Sequence, residues 1–332
     1  MQFRIAVTEQ SQPASARRMA IELAEKAGLD EITVADIALV VTELGTNLVK
    51  HATDGELFMR RVDVAGEAGV EILSLDKGPG IQDLGRSIED GFSTTGTSGI
   101  GLGAIRRKAS HFDMYSQPRK GTAIVARMMS PDMKKLIHEG PSVGVIHQAM
   151  QGETLCGDDW IVRGFADGWV CAVVDGLGHG VIAAEACIPM IEAIRTAQGR
   201  TTPVELVEAA HHAARATRGA VLAVAVVDTK NHLLRFAGIG NIVGVIVDKE
   251  RRRHLVSQNG IVGHQYRHIS EFTYPWPKES VLVLHSDGIG SQWDLSAYPG
   301  LLSRDSSLIA GVLFRDFTRG RDDATIVVVK DH

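Results

Sequence analysis

In the second half of the chain, runs of aliphatic residues repeatedly end in an aspartate that glycine follows. The clearest case is Val173-Val174-Asp175-Gly176. Such a strand end can hold a cation, because the strand fixes the carboxylate and glycine lets a backbone carbonyl approach as a second ligand. A single case is better explained as a turn in which the aspartate bonds to its own loop. Asp158, Asp287 and Asp322 lie at comparable strand ends, and this repetition favours a metal site.

Four carboxylates without His or Cys partners are typical of a site for a hard cation with oxygen ligands and retained waters. Two such ions roughly 4 Å apart can hold a bridging hydroxide for in-line attack on a phosphoryl group. Predicted strands at 160–165 and 169–174 form a hairpin, whose pairing would bring Asp158 opposite Asp175. The competing interpretation is a set of unrelated turn aspartates, which are common in α/β chains.

The first half contains a predicted helix from about residue 30 or 33 to residue 52, with a broad apolar face. On this helix Glu43, Asn47 and His51 follow each other at intervals of four residues and so share one stripe, with Lys50 beside them. A carboxylate, an amide and a cation are costly to bury without a ligand. A solvated stripe between core faces is the alternative interpretation.

Glycines dominate three further stretches of the first half. A predicted strand at 70–75 runs into Asp76-Lys77-Gly78-Pro79-Gly80, and a polar loop at 82–98 resembles a mobile lid. Gly99-x-Gly101-x-Gly103 then leads into a predicted helix at 104–110, whose first N–H groups favour an anion. A Rossmann site is disfavoured, because this run does not follow a strand at βαβ spacing. Two final strands meet at the turn Gly121-Thr122.

In this order the motifs resemble the GHKL nucleotide-binding fold of histidine kinases, type II topoisomerases, the ninety-kilodalton heat-shock chaperones and MutL. The resemblance covers nearly all of residues 1 to 130 and implies an α/β sandwich that binds ATP. It implies that Asn47 holds Mg²⁺, that Glu43 orients the nucleophile as the catalytic acid, and that Asp76 accepts from the adenine amino group. It also implies that the glycines of the third motif wrap the phosphates. The predicted nucleotide-binding set is Asn47, Lys50, His51, Asp76, Gly78, Gly80, Gly99, Gly101, Leu102, Gly103 and Thr122.

Within that fold, the short length and the string Glu-Leu-x-x-Asn-x-x-x-His-Ala are most similar to the RsbT/RsbW serine kinases of bacterial partner-switching systems. Two-component histidine kinases match less well. They carry a phosphoacceptor histidine on a helix before this domain, whereas about ten residues precede the first predicted helix here.

The second half resembles the SpoIIE/RsbX branch of the metal-dependent (PPM-type) serine/threonine phosphatases. The resemblance rests on Asp175-Gly176-Leu177-Gly178-His179-Gly180 and on the stretches around Gly157-Asp158, Gly238 to Asn241, Ser286-Asp287-Gly288 and Asp322-Asp323. It implies an αββα sandwich with two Mn²⁺ or Mg²⁺ ions between the sheets. Asp175 would bridge both ions as the central catalytic ligand, with the Gly176 carbonyl, Asp287 and Asp322 as further ligands and Asp158 acting through water. Asp323 aligns with a position that is often Asn, and Arg163 is the candidate for gripping the phosphate.

Composition narrows the remaining possibilities. A net charge of −5 argues against nucleic acid or an anionic membrane as the main partner. Three cysteines, none in a C-x-x-C pair, disfavour a zinc site and fit a reducing cytoplasm. No apolar run has the length of a membrane helix, and no signal peptide is apparent. We expect a cytoplasmic protein with a kinase domain at 1–130, a linker at 131–142 and a phosphatase domain at 143–332.

These inferences predict a bifunctional regulator. The first domain would phosphorylate a Ser or Thr of a small STAS-type antagonist with ATP and Mg²⁺, and the second would remove the phosphate. Such a protein would control a sigma factor or a stress response. The alternative is a phosphatase whose first domain only binds nucleotide or a partner, such as a sigma factor, without chemistry.

Overall fold

The chain folds into two compact units that do not follow a single cut in the sequence. The computed structural model describes residues 2–64, 66–84, 101–130, 140–197, 202–266 and 268–331. One unit comprises Met1–Glu139 together with Leu295–Arg315, and the other comprises Gly140–Asp294 together with Asp316–His332. Residues 295–315 lie within the range predicted as the second domain, yet they pack as part of the first unit. Most of the predicted linker and of the loop at 82–98 lies outside the described residues.

The first unit is built on one antiparallel sheet of five strands in the order β1-β2-β3-β5-β4. Period-two alternation in β2, β3 and β5 gives the sheet two buried faces, and the three helices from the first half of the chain pack against one of them. The strands are β1 Gln2–Ala6, β2 Glu56–Val64, β3 Glu67–Leu75, β4 His111–Ser116 and β5 Thr122–Met129.

Three helices of this unit are α1 Gln12–Lys26, α2 Glu31–His51 and α3 Gly101–Lys108. The Asp30 side chain caps α2 by accepting from the backbone N–H groups of Ile32 and Thr33. Helix α2 is long and apolar enough to cross a membrane. Its aliphatic residues instead pack against the sheet in the core of this unit, which identifies it as a core helix.

The second unit contains two five-stranded sheets in the orders β15-β10-β9-β8-β7 and β12-β11-β16-β17-β6. Helices α4 Gly180–Thr196 and α5 Pro203–Ala213 pack on the first of these sheets. The strands are β6 Ser142–Gln148, β7 Asp158–Phe165, β8 Gly168–Gly176, β9 Ala220–Asp228, β10 Leu233–Ile239, β11 Val243–Val247, β12 Arg252–His254, β15 Phe272–Pro275, β16 Val281–His285 and β17 Ala324–Lys330, with β13 Gly260–Ile261 and β14 Gln265–Tyr266 as a separate ribbon.

A second apolar core fills the space between the two sheets, with Trp169, Phe236, Leu282 and Val327 among its buried residues. Between β16 and β17 the chain forms two short 3₁₀ turns, Leu295–Ala297 and Leu301–Ser303, and then helix α6, Ser306–Phe317. The predicted mixed α/β architecture is confirmed. One local expectation is wrong: the helix of the third glycine motif begins at Gly101 and not at residue 104, so Gly101 and Gly103 lie inside its first turn.

Candidate nucleotide site and candidate metal centre

The first and third motifs of the first unit lie against each other. Glu43 and Asn47 sit one turn apart on α2 and are half-buried. A Cβ on Gly101 would lie 3.3 Å from Glu43 Oε2 and 3.7 Å from Asn47 Nδ2, so the start of α3 packs directly onto this stripe. The predicted neighbours Lys50 and His51 are exposed in the last turn of α2. Gly99 lies outside the described residues.

Asp76 lies at the end of β3, where backbone contacts hold it in place. Its N–H donates to the Thr122 carbonyl at 3.0 Å, and its Oδ1 accepts from the Gly78 N–H at 2.7 Å. Burial raises the pKa of Asp76, while the bond from Gly78 opposes that rise. Asp76 is therefore a half-buried carboxylate with one oxygen committed to its own turn.

Glycine is required in this turn for steric reasons. Gly121 has a φ of 85°, and a Cβ there would lie 1.9 Å from the Asp76 carbonyl oxygen. Gly80 has a φ of 73°, and a Cβ there would lie 2.3 Å from the Gln117 carbonyl oxygen. A Cβ on Gly78 would approach the His51 carbonyl oxygen to 3.1 Å, which joins this turn to the end of α2. Gly103 is buried in α3, and Leu102 is half-buried against the core.

In the second unit, Asp158, Asp287 and Asp322 come from three separate parts of the chain and lie near Asp175. Asp158 at the start of β7 pairs directly with Asp175 near the end of β8, as predicted. The Ser286 Oγ, one residue before Asp287, donates to Asp158 Oδ2 at 2.7 Å. A Cβ on Gly288 would lie 1.9 Å from the Asp323 carbonyl oxygen, so the Asp287 and Asp322 loops are in close contact.

The carboxylates of this cluster interact electrostatically. Burial raises the pKa of Asp175, and the charges of Asp158, Asp287 and Asp322 raise it further. Burial also raises the pKa of Asp158, against the hydrogen bond from Ser286. Such a set of carboxylates fits a hard divalent cation, because the cation would relieve both the burial and the mutual repulsion.

The carboxylates of this cluster do not form a complete coordination sphere. Among the described residues, no three His, Cys, Asp or Glu side chains are grouped as a metal-binding cluster. Gly176 is buried, and a Cβ there would lie 2.4 Å from the Ala183 carbonyl oxygen of α4. The predicted ligands are therefore neighbours on one end of the sheets, and their role in binding metal stays a prediction.

Asp323 and Arg163 are not among the predicted metal ligands, and their positions in the structure give each of them a different setting. Asp323 accepts the N–H groups of Met150 and Gly157, both at 2.8 Å, so both its oxygens are used to hold the loop before Asp158. Arg163 lies five residues after Asp158 on β7, and an odd offset along a strand places it on the other face of the sheet. That orientation does not suit it to grip a phosphate beside Asp158.

Sequence reasoning did not assign roles to two side chains that support the cluster. Asn241 Nδ2 donates to Asp287 Oδ2 at 2.9 Å. Ser286 also accepts from the Thr325 N–H at 3.0 Å, which ties β16 to β17 beside the carboxylates. Both Asn241 and Ser286 stand within the stretches that carry the phosphatase resemblance, so their proximity to the glycines was the available signal.

Comparison with known proteins assigns a family to each half. Residues 166–331 match the family model of Stage II sporulation protein E (SpoIIE), and residues 6–128 match that of the histidine kinase-like ATPase domain. The serine/threonine-protein kinase RsbT of Bacillus subtilis (strain 168) is 34% identical over 112 residues, which are 34% of this chain and 84% of RsbT. The phosphoserine phosphatase RsbX of the same organism is 20% identical over 140 residues, which are 42% of this chain and 70% of RsbX.

Solved structures are also similar to part of the chain. A structure described as "The bacterial stressosome: a modular system that has been adapted to control secondary messenger signaling" has a TM-score of 0.54 at 28% identity, covering 58% of this chain and all of that one. RsbX in complex with magnesium has a TM-score of 0.52 at 20% identity, covering 58% and 96% of the two chains, which shows the fold alone. The predicted fusion is confirmed: the chain belongs to the SpoIIE family of serine/threonine phosphatases through its second half and carries an RsbT-like kinase domain of the histidine kinase-like ATPase family in its first.

Proposed function

We propose that this protein is a partner-switching regulator that both phosphorylates and dephosphorylates a partner protein. Its first unit transfers the γ-phosphoryl group of ATP to a Ser or Thr of a STAS-type antagonist. Its second unit hydrolyses the phosphoserine or phosphothreonine. The protein acts in the cytoplasm and controls a sigma factor or a stress response. The convergence of Asp158, Asp287 and Asp322 around Asp175 carries the hydrolytic half of this proposal.

The kinase half is supported by the contact between the first and third motifs. Glu43 and Asn47 lie beside the start of α3, where the phosphates would meet the first N–H groups of a helix. In this proposal Asn47 holds Mg²⁺, Glu43 orients the attacking hydroxyl and Asp76 accepts from the adenine amino group. The similarity to RsbT and to the stressosome structure supports a STAS-type partner.

For the phosphatase half, Asp175 would bridge two Mg²⁺ or Mn²⁺ ions, with the Gly176 carbonyl, Asp287 and Asp322 as further ligands. Asp158 is held by Ser286 and would contribute through water. The bound ions would supply a hydroxide at neutral pH and neutralise charge on the phosphoryl oxygens. The protein itself holds the carboxylates at the strand ends, and the Asn241 side-chain amide orients Asp287 through a hydrogen bond.

The kinase activity is tested with a purified STAS-domain protein and ATP labelled at the γ-phosphate. The Asp175→Ala variant is used so that the second unit does not erase the label. We expect labelled STAS protein with Asp175→Ala, and at least about 100-fold less label when Asn47→Ala is added, because the Mg²⁺ ligand is then missing. Absence of label with Asp175→Ala would contradict the kinase assignment.

The second candidate function is a phosphatase whose first unit binds nucleotide or a partner without chemistry. Two opposed activities on one chain would consume ATP without net effect unless a partner gates them, and a binding role avoids this cost. The same assay separates the candidates. Nucleotide binding without labelled STAS protein favours the binding role, whereas label that depends on Asn47 favours the kinase.

A further inference from the structure

One face of the first unit's sheet is buried although it carries charged residues. In β2, β3 and β5, Leu57, Ile72 and their alternate neighbours pack against the helices, while Arg60, Glu71 and Arg127 project from the other face. All three are buried, with Glu71 only 2% exposed. Arg60 Nε and Arg127 Nε donate to the two oxygens of Glu71, each at 2.7 Å. Two guanidinium groups and one carboxylate leave this face with an excess positive charge.

The segment Leu295–Arg315 supplies the balancing carboxylate within the same unit. Both terminal nitrogens of Arg127 donate to Asp305, each at 2.8 Å, in a bidentate pair. Ser307 Oγ donates to Glu71 at 2.8 Å. Burial acts to raise the pKa of Glu71, yet Arg60 and Arg127 hold it below its usual range. The segment therefore adds a carboxylate to the cluster of two arginines and Glu71 on this sheet face.

Helix α6 also fits the apolar part of this face. A Cβ on Gly311 would lie 2.8 Å from a methyl carbon of Leu75 and 3.0 Å from one of Leu73, so the helix backbone lies directly against β3. The rings of Phe314 and Phe58 meet edge to face, with centroids 5.4 Å apart. The segment is thus joined to the sheet by polar contacts around the start of helix α6 and by close packing along that helix.

The end of the segment reaches the candidate adenine site. Arg315, which is 6% exposed, donates from Nη1 to the Asp76 carbonyl oxygen at 3.0 Å. The Asp76 N–H donates to the Thr122 carbonyl oxygen, and Gly121 lies closely against the Asp76 carbonyl. The peptide groups on both sides of Asp76 are therefore fixed, and one of these contacts comes from the segment that follows Asp287 in sequence.

We propose that Leu295–Arg315 completes the nucleotide domain and that Arg315 is a positioning residue for adenine recognition. Arg315 holds the Asp76 carbonyl, and thereby keeps the Asp76 carboxylate oriented toward the base. This inference rests on the proposed function, in which Asp76 accepts from the adenine amino group. It assigns a role in nucleotide selection to a residue from the phosphatase half of the sequence.

The test compares binding of ATP and inosine triphosphate to the full-length protein by isothermal titration calorimetry with Mg²⁺. Inosine triphosphate carries an oxygen where adenine has the amino group, and its triphosphate is unchanged. We expect Arg315→Ala to bind ATP about 10-fold more weakly and inosine triphosphate within about 2-fold of the wild type, because one hydrogen bond that depends on Asp76 is lost. Arg315→Lys should restore part of the preference for ATP. Arg304→Ala is the matched control, since Arg304 lies in the middle of the segment, bonds to Asp113 and should keep the wild-type preference.

The ratio of the two affinities separates positioning from a general loss of structure. Equal weakening of both nucleotides by Arg315→Ala, or no change in either, would overturn the role of Arg315. Retained binding of inosine triphosphate shows that each variant is folded at this site. If the wild-type protein itself shows no preference for ATP and Asp76→Asn changes nothing, the proposed ATP site is wrong and the inference falls with it.

Discussion

The candidate nucleotide site and the carboxylate cluster are held together by different interactions. At the nucleotide site, backbone groups fix Asp76 through Thr122 and Gly78, and Gly121 allows the close approach. In the cluster, side-chain carboxylates from different strand ends lie near one another, and the pKa of the half-buried Asp175 is raised first by burial and then by the neighbouring charges.

Under the proposed function, the polypeptide alone completes the first site, whereas a cation would complete the second. The first should be sensitive to added volume, because its turns leave no space for a Cβ. The second should be sensitive to charge and to divalent ions, because its carboxylates have few donors of their own. Three predictions test this contrast.

The largest effect is expected from removing the central carboxylate of the cluster. Asp175→Ala should lower Mn²⁺-dependent hydrolysis of a phosphoserine peptide at least about 1000-fold, because the ligand shared by both proposed ions is lost. ATP binding by the first unit should be unchanged, as measured by calorimetry on the same preparation.

Asp159→Asn is the matched control for that variant. Asp159 lies next to Asp158 but alternates to the other face of β7, and we expect its variant to retain activity within about 2-fold. Equal loss of activity in both variants would mean that the position of the carboxylate does not matter, which would contradict the metal-centre assignment.

Much of this arrangement could be predicted from the sequence, because local pattern determines it. The hairpin that pairs Asp158 with Asp175 follows from two apolar runs around Ala166-Asp167-Gly168. The positions of Asp76 and Asp287 follow from strands that end in glycine turns. These features depend on neighbouring residues, and the two families confirm the folds that they indicate.

Features that depend on packing between distant segments could not be predicted. Nothing in the local sequence shows that Asp305 pairs with Arg127 or that Arg315 reaches Asp76. Glu and Arg side chains are usually exposed, whereas Glu71 and Arg127 are both buried. Predicting that Arg163 lies on the other face of the sheet from Asp158 would have required the exact start and register of β7, which a short motif does not provide.

A smaller effect is expected from adding volume at the nucleotide site. Gly121 and Gly66 have similar φ angles of 85° and 88°, but a Cβ at 121 would collide with the Asp76 carbonyl whereas one at 66 has nothing within 4 Å. Gly66→Ala should cost about 1 kcal/mol of unfolding free energy through backbone strain alone. Gly121→Ala should cost about 3 kcal/mol and weaken ATP binding about 10-fold. Equal costs in urea unfolding would show that the close approach to Asp76 contributes nothing.

The smallest effect concerns the cluster without cations. A carboxyl group whose pKa is raised on folding binds more protons in the folded than in the unfolded protein, so its contribution to stability falls as the pH rises above its usual pKa of about 3.9. For Asp158 and Asp175, whose pKa values are raised first by burial, chelator-treated protein should melt at a lower temperature at about pH 8 than at about pH 5.5. Mn²⁺ should raise the melting temperature more at the higher pH, because the ion competes with protons for the same carboxylates. Asp175→Asn should reduce both differences, and an equal gain from Mn²⁺ at both pH values would show that the carboxylates are already paired without a cation.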